Sequence, residues 1–213
     1  MFSKPQRPEV DEHTIKLIIG VIALTLANLT SFFSPDGLQS ISDSYHKGNW
    51  SRDIFVGFLF AIFALLLAYN GKTGMEKILG RIAAGAAFLV AMFPCECETH
   101  TEIIPYVHGI SAAIMFVILA FFCHAFFIRA RSKDYPQAKL RSYIYAFCGI
   151  TIVTVIVILG ADHFIQFGVE KLTFYGERAG LIAFGISWLT ASRVLPFITR
   201  KDERHSLLAS ESD

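Results

Sequence analysis

Six long apolar segments dominate this chain of 213 residues. A helix that crosses the hydrocarbon core of a membrane needs roughly 20 predominantly apolar residues, with a range of about 17 to 25. The segments run approximately over residues 15–33, 54–70, 78–93, 106–130, 142–161 and 173–197. Because lipid offers no partners for open backbone groups, each segment is expected to be a helix. We therefore predict an all-α polytopic membrane protein, a bundle of six transmembrane helices.

The composition supports this class and argues against others. Hydrophobic residues make up 54% of the chain and charged residues 17%, which is too apolar for an ordinary soluble domain. The formal net charge is only +1 with neutral histidines. Nucleic-acid-binding proteins carry a stripe of basic residues, so the charge gives no support to nucleic-acid binding. The first apolar segment is not followed by a small-residue cleavage site, so it is predicted to be a retained span rather than a signal peptide.

The basic residues predict the orientation in the membrane. With the N-terminus placed in the cytoplasm, the cytoplasmic side holds fifteen of the nineteen Lys and Arg residues. Since Lys and Arg in short loops stay on the cytoplasmic side, both termini are predicted to be cytoplasmic. The predicted domains are a flexible cytoplasmic tail at 1–14, a six-helix transmembrane domain at 15–197 and a disordered cytoplasmic tail at 198–213.

The loop before the second apolar segment contains Ser42, His46 and Asp53. Titratable groups at the mouth of a membrane bundle are functional candidates, because burying them is costly unless they are paired or used. Each residue also has a simpler interpretation: Asp53 as an anion near a helix N-terminus, His46 as a solvated loop histidine and Ser42 as a turn residue. The predicted topology puts two more candidates, His108 and Glu177, on the same non-cytoplasmic side.

The segment around the start of the fourth span offers two further patterns. Pro105 suits a first helical turn, so His108 is predicted to lie near a helix N-terminus, which favours the neutral imidazole that a metal or a base requires. Cys95-x-Cys97 with His100 is a weak metal pattern, since zinc signatures have two or more well-separated ligand pairs. The alternatives are a disulfide between these cysteines on an oxidising face, or pairing with another chain.

A resemblance to known proteins rests on several stretches between Ile41 and Leu189. They are Ile41-Ser-Asp-Ser-Tyr-His46, Arg52-Asp-Ile-Phe-Val-Gly57, Tyr69-Asn-Gly71, His108, and Glu177 followed by Phe184-Gly-Ile-Ser-Trp-Leu189. Together they resemble a group of uncharacterised bacterial six-span membrane proteins. That group looks related to the DRAM, Frag and Sfk family, in which an Ile-Ser-Asp element also precedes the second span. The resemblance implies a bacterial inner (plasma) membrane protein.

The Ser42-x-x-x-His46 pair and Asp53 are also remotely similar to part of the CREST superfamily site, as found in alkaline ceramidases and PAQR receptors. Those proteins use such a pair, an Asp and further histidines to hold zinc and hydrolyse lipid amides. They have seven spans and a His-x-x-x-His pair in the last one, whereas six spans are predicted here and Glu177 stands where a late histidine would be sought. The resemblance implies a divalent metal such as zinc, held by His46, His108 and a carboxylate.

Two functional hypotheses follow. In the first, His46, His108 and Asp53 or Glu177 hold the divalent metal, Ser42, Asp53 and Glu177 are the catalytic residues, and the protein is a metal-dependent hydrolase of a membrane lipid. In the second, the same residues form a polar hydrogen-bond network that has a structural role or binds a lipid without turnover. Neither the substrate nor the oligomeric state follows from the sequence.

Overall fold

A computed structural model describes residues 11–97, 100–101 and 103–205. Within these residues there are seven α-helices and a 3₁₀ turn, and no β-strand beyond an isolated bridge between Cys97 and His100. The elements are α1 (Glu12–Phe32), α2 (Ser44–Lys47), α3 (Asn49–Ala68), α4 (Gly74–Met92), α5 (Val107–Arg131), α6 (Pro136–Ile165), α7 (Leu172–Ala191) and the 3₁₀ turn (Lys201–Glu203). The prediction of an all-helical fold is confirmed.

Each of the six predicted segments falls on one of the six long helices. Four helices of the described chain, α1, α3, α5 and α6, are long and apolar enough to cross a membrane. The other two carry more polar residues. Glu76, Lys77 and Arg81 lie in α4, and Glu177 and Arg178 lie in α7. The structure thus has the character of a membrane protein, with four helices that qualify as spans by length and composition.

The six long helices form a closed ring in chain order. Each long helix packs against the next one, and α7 closes the ring by packing against α1. The helix ends fall into two groups, because successive helices run in opposite directions. Following the predicted orientation, we call the end with Glu12 and Arg131 the inner end, and the end with Ser44 and His108 the outer end.

Two glycines allow α1 and α7 to meet backbone to backbone. A Cβ atom built on Gly20 would lie 2.8 Å from the backbone nitrogen of Leu189 and 3.0 Å from the carbonyl oxygen of Gly185. A Cβ atom on Gly185 would lie 2.9 Å from the carbonyl oxygen of Gly20 and 2.6 Å from the side chain of Leu24. Small residues at such contacts are typical of membrane helix packing. Gly20 and Gly185 therefore permit the close approach of α1 and α7.

An aromatic cluster fills the centre of the bundle towards the inner end. The ring of the fully buried Trp188 lies with its centroid 5.2 to 6.0 Å from those of Tyr69, Phe122, Phe126 and Phe184. These rings come from the end of α3, from α5 and from α7, so they tie three helices together. At these spacings the ring pairs add to the stabilisation that burial provides.

The two ends of the described chain contain regular structure within the segments predicted as tails. Helix α1 begins at Glu12, inside the predicted flexible tail. The predicted disordered tail at 198–213 contains the 3₁₀ turn Lys201–Glu203, and Glu203 forms ion pairs with Lys133 and with Arg141. Glu203 also pairs with Arg193, and these three basic partners hold the segment against the bundle despite its polar composition. Residues 1–10 and 206–213 lie outside the described residues.

Candidate functional site

The side chain of Glu177 joins α7 to the loop between α1 and α2. Its Oε2 accepts hydrogen bonds from the backbone N–H of Ile41 at 2.5 Å and of Ser42 at 3.4 Å, and its Oε1 accepts one from the Ser42 hydroxyl at 3.3 Å. A backbone hydrogen bond from Phe174 to the carbonyl of Gln39 reinforces this link. We call Glu177, Ile41 and Ser42 the carboxylate clasp. It brings together two predicted catalytic residues, Ser42 and Glu177.

Asp43, which sequence reasoning did not select, is the most buried charged residue of this loop. It is fully buried, and its Oδ2 accepts the backbone N–H of Gln39 at 3.3 Å and forms an ion pair with Lys47 at 3.4 Å. Its own N–H donates to the hydroxyl of Ser40 at 2.9 Å. Asp43 therefore links residues on both sides of the clasp residues, Gln39 and Ser40 before them and Lys47 after them, and stabilises the loop conformation. A sequence signal was available, since Asp and Lys four residues apart suit an ion pair on a helix.

His46 lies in α2 and faces the loop between α4 and α5. Its Nε2–H donates to the carbonyl oxygen of Cys95 at 2.8 Å, because a carbonyl can only accept. The neutral ring then keeps a lone pair on Nδ1. The ring also stacks on that of His100, with 4.1 Å between the centroids. His46 is thus held by two contacts and presents one nitrogen as a potential metal ligand.

Cys95 and Cys97 form a disulfide beside His46. One nitrogen of His46 and the two sulfur atoms lie within 4.8 Å of one another, and this is the group of metal-binding side chains that the described residues bring together. We call these three residues the thiol–imidazole group. The hydroxyl of Ser40 lies 3.7 Å from the sulfur of Cys97, which connects the group to the clasp loop. From the sequence, Cys95-x-Cys97 with His100 is only a weak metal pattern, because zinc signatures have two or more well-separated ligand pairs, and nothing in the sequence indicates that His46 joins the cysteines.

His108 occupies a separate position near the start of α5. It is buried, and its Nδ1–H donates to the carbonyl oxygen of Phe93 at 2.7 Å. This bond orients the imidazole and leaves the lone pair of the neutral ring on Nε2. His108 does not belong to the thiol–imidazole group. Its observed bond ties the start of α5 to the end of α4.

Asp53 lies apart from the other predicted site residues. Its side chain is 64% exposed and is 3.7 Å from the exposed side chain of Arg52. Helix α3 begins at Asn49, so Asp53 is in the second turn rather than the first, where it was expected. The structure therefore does not bring Asp53 together with His46 and His108 as a set of metal ligands within the described residues.

The outer end thus combines two arrangements of different chemistry. The carboxylate clasp is a set of hydrogen bonds between an acceptor and uncharged donors. The thiol–imidazole group contains an imidazole nitrogen and the two sulfur atoms of a disulfide, which become ligands of the kind that zinc prefers once the disulfide is reduced. The Ser42 hydroxyl is bonded to Glu177, and in the described chain no hydrogen bond joins it to His46. The Ser-x-x-x-His spacing therefore does not form a nucleophile–base pair in this structure.

Comparison with known proteins leaves the function to be argued from these residues. No family model, no curated protein and no solved structure matches the chain. The clasp and the thiol–imidazole group are therefore the two observations on which a function can be built.

Proposed function

We propose that this chain is a membrane protein that binds a soft divalent metal ion, such as zinc, at its outer end. His46, Cys95 and Cys97 are the ligands. The observation that carries this proposal is that the fold holds the His46 ring beside the Cys95–Cys97 pair, with the three potential ligand atoms within 4.8 Å of one another while the cysteines form a disulfide. Histidine and cysteine are the commonest zinc ligands, and three protein ligands leave a fourth position for water or another donor.

The proposed protein has six spans, with both termini in the cytoplasm of a bacterium. Helices α4 and α7 support this count, because each lies between two helices that qualify as spans. Each has 19 or 20 residues, which is roughly 30 Å of helix and matches the hydrocarbon thickness. Their charged residues lie towards the helix ends, where side chains reach the membrane surface.

Metal binding by this group depends on the redox state of the cysteines. A disulfide has no thiolate to offer, so a thiol or phosphine reductant must first supply two electrons, with two protons taken up from the reductant or from water, to give two thiols. The metal then displaces the thiol protons as it binds the thiolates. If Nδ1 of His46 is the ligand, the bond from Nε2–H to the Cys95 carbonyl persists and orients the imidazole. Metal content should therefore follow reduction of this one disulfide.

The test is the metal content of the full chain in two redox states. The protein is purified in neutral detergent with and without a phosphine reductant, equilibrated with zinc, desalted and analysed for metal and for free thiols. We expect about one zinc ion per reduced chain and almost none per oxidised chain. The oxidised chain should show two free thiols, Cys123 and Cys148.

Matched cysteine variants distinguish this site from nonspecific binding. Cys95→Ser and Cys97→Ser should each remove most of the bound zinc, because a serine hydroxyl is a poor zinc ligand. Cys148→Ser is the control, since Cys148 is buried elsewhere in the bundle. The proposal is wrong if the reduced chain retains no zinc, or if Cys95→Ser and Cys148→Ser retain it equally.

A second candidate function, hydrolysis of a membrane lipid, is favoured by the clasp. The Ser42 hydroxyl lies 3.3 Å from a Glu177 carboxylate oxygen, an arrangement that a nucleophile and its base also show. The hydrogen bonds from Ile41 and Ser42 to the other oxygen give the clasp an alternative structural role. Hydrolysis of ceramide or phospholipid vesicles by the chain, with loss of activity in Ser42→Ala, would establish this function. If no lipid is hydrolysed, the clasp has a structural role or binds lipid without turnover.

A further inference from the structure

A cleft at the inner end of the bundle is lined by positive charge. It has a volume of about 70 Å³ and lies where α1, α5, α6, α7 and the loop between α3 and α4 meet. Its charged lining residues are Lys16, Lys72, Arg129, Lys133, Arg141 and Arg193. His13 also contributes, and no carboxylate lines the described cleft. The six Lys and Arg side chains around this small cleft repel one another, and an anion bound between them would reduce that repulsion.

Neighbouring carboxylates offset only part of this charge. Three of them form ion pairs with cations of the cleft: Glu12 with Lys16 and Lys72, Glu76 with Arg129, and Glu203 with Lys133, Arg141 and Arg193. A fourth, Asp11, pairs with His205 outside the lining. Six cations therefore face three or four carboxylates, which leaves a surplus of at least two positive charges.

Two of the cations are buried, which makes the surplus costly. Lys16 is 4% exposed and Arg141 is 3% exposed. The ammonium of Lys16 lies 5.2 Å from the centre of the Tyr69 ring, so it sits on the aromatic cluster with little water around it. Charges in such surroundings are much less screened than surface charges, so an anion that pairs with them in the cleft offsets part of the cost of burying them.

We propose that this cleft binds a phosphate group. A volume of about 70 Å³ holds roughly five water-sized groups, and a phosphate has five heavy atoms. Arginine and lysine are the side chains that recognise phosphate, by paired hydrogen bonds and by charge. Arg193 is the cation best placed to turn to a ligand, because its ion pair with Glu203 is the longest of the set at 3.8 Å. This inference is independent of the metal proposal.

The phosphate can come from a lipid headgroup or from a compound dissolved in the cytoplasm, and two binding measurements separate these sources. In one, the full chain in neutral detergent is titrated with inorganic phosphate, with chloride at equal ionic strength as the reference. In the other, the chain in phosphatidylcholine nanodiscs is compared with nanodiscs that also contain phosphatidic acid, using thermal stability as the readout. Saturable binding or stabilisation in either measurement supports the proposal and identifies the source.

Charge-neutral variants connect the binding to this cleft. Arg193→Gln should weaken phosphate binding roughly tenfold, since a hydrogen bond to a charged group contributes about 1.5 kcal/mol or more. If Arg193→Gln does not fold, phosphate binding is measured for Lys133→Gln instead. Arg131→Gln is the control, because Arg131 is an exposed cation at the same end that does not line the cleft. The proposal is overturned if neither measurement shows saturable binding, or if Arg131→Gln weakens it as much as Arg193→Gln does.

Discussion

The carboxylate of Glu177 accepts the backbone N–H of Ile41 at 2.5 Å, across 136 positions of sequence. The same carboxylate also accepts the backbone N–H and the hydroxyl of Ser42. One side chain of α7 thus satisfies consecutive donors of a loop that has no regular structure at that point. Without it, these donors would be left unpaired in a partly buried place, which is costly. The clasp is therefore expected to fix the position of the loop that carries His46.

Removing the carboxylate of the clasp should destabilise the protein. We expect Glu177→Ala to lower the free energy of unfolding by about 1 to 3 kcal/mol, since it leaves the Ile41 and Ser42 donors unpaired. Ser42→Ala should cost less, about 1 kcal/mol, because it removes one donor together with its bond. The measurement is reversible unfolding in mixed micelles. Glu170→Ala, at an exposed loop position, is the control and should change little.

The sequence could predict the helices but not the clasp. Apolar length and the absence of backbone partners in lipid made six helices the expected result, and each predicted segment falls on a helix of the structure. The convergence of Glu177 with Ser42 depends on how α7 closes the ring against α1, which local pattern does not encode. For the same reason Asp43 was missed, because its burial arises only from the folded loop.

Adding a methyl group where α1 meets α7 should also destabilise the bundle. Gly20→Ala would place a Cβ atom 2.8 Å from the backbone of Leu189, so the two helices must separate. Overpacking of this kind typically costs about 1 to 3 kcal/mol, and Gly185→Ala should behave in the same way. Gly57→Ala is the matched control, since nothing lies within 4 Å of its added Cβ. A loss of stability for Gly57→Ala equal to that for Gly20→Ala would contradict the packing.

The attachment of the C-terminal turn should depend on pH through Glu203. Partial burial acts to raise the pKa of Glu203, but hydrogen bonds from Lys133, Tyr135 and Arg141 outweigh burial and lower the pKa from the usual 4.5 to about 2. A carboxyl with a lowered folded-state pKa contributes its full stability above the unfolded value and loses it as the pH falls. We therefore expect roughly 2 to 3 kcal/mol of stability to be lost between about pH 4.5 and pH 2.

The variant Glu203→Gln isolates this contribution. It should be less stable than the parent chain near neutral pH, and the difference should shrink as the pH approaches about 2, where Glu203 itself becomes protonated. Unfolding in mixed micelles over a pH series measures both curves. Asp202→Gln serves as the control, because Asp202 has an exposed side chain that contacts Arg200. A constant difference across the series would show that the carboxylate charge is not responsible.

The thiol–imidazole group shows a second limit of sequence reasoning. Cys95 and Cys97 alone lack the paired spacing of a zinc signature, and the sequence left a disulfide open as an alternative. His46 joins them only because α2 lies beside the loop that follows α4, where its ring donates to Cys95. Asp53, which is only seven positions after His46, is instead turned to solvent. Proximity in sequence was therefore a poor guide to which residues share the site.

The proposed six-span topology can be tested by which side of the membrane each loop faces. Single cysteines at Asp36, Thr101 and Glu170 should react with an impermeant maleimide in intact cells, because these exposed positions lie in the three outer-end loops. A cysteine at Asp134, between α5 and α6, should react only after permeabilisation. The background chain carries serine in place of Cys95 and Cys97, and the remaining two cysteines are buried. Labelling at all four positions is then compared before and after permeabilisation.

Each failure of a helix to cross has its own labelling pattern. If α4 stayed on one side of the membrane, Thr101 would become protected and Asp134 accessible, because every later loop would change sides. If α7 alone failed to cross, all four loop positions would label as expected, but the chain after Ala191 would remain outside. A cysteine at Arg200 detects that case, since this exposed position follows α7. Protection of Asp134 and Arg200 together with labelling of the outer-end positions is therefore the result expected of six spans, and it excludes a failure of α4 alone or of α7 alone to cross.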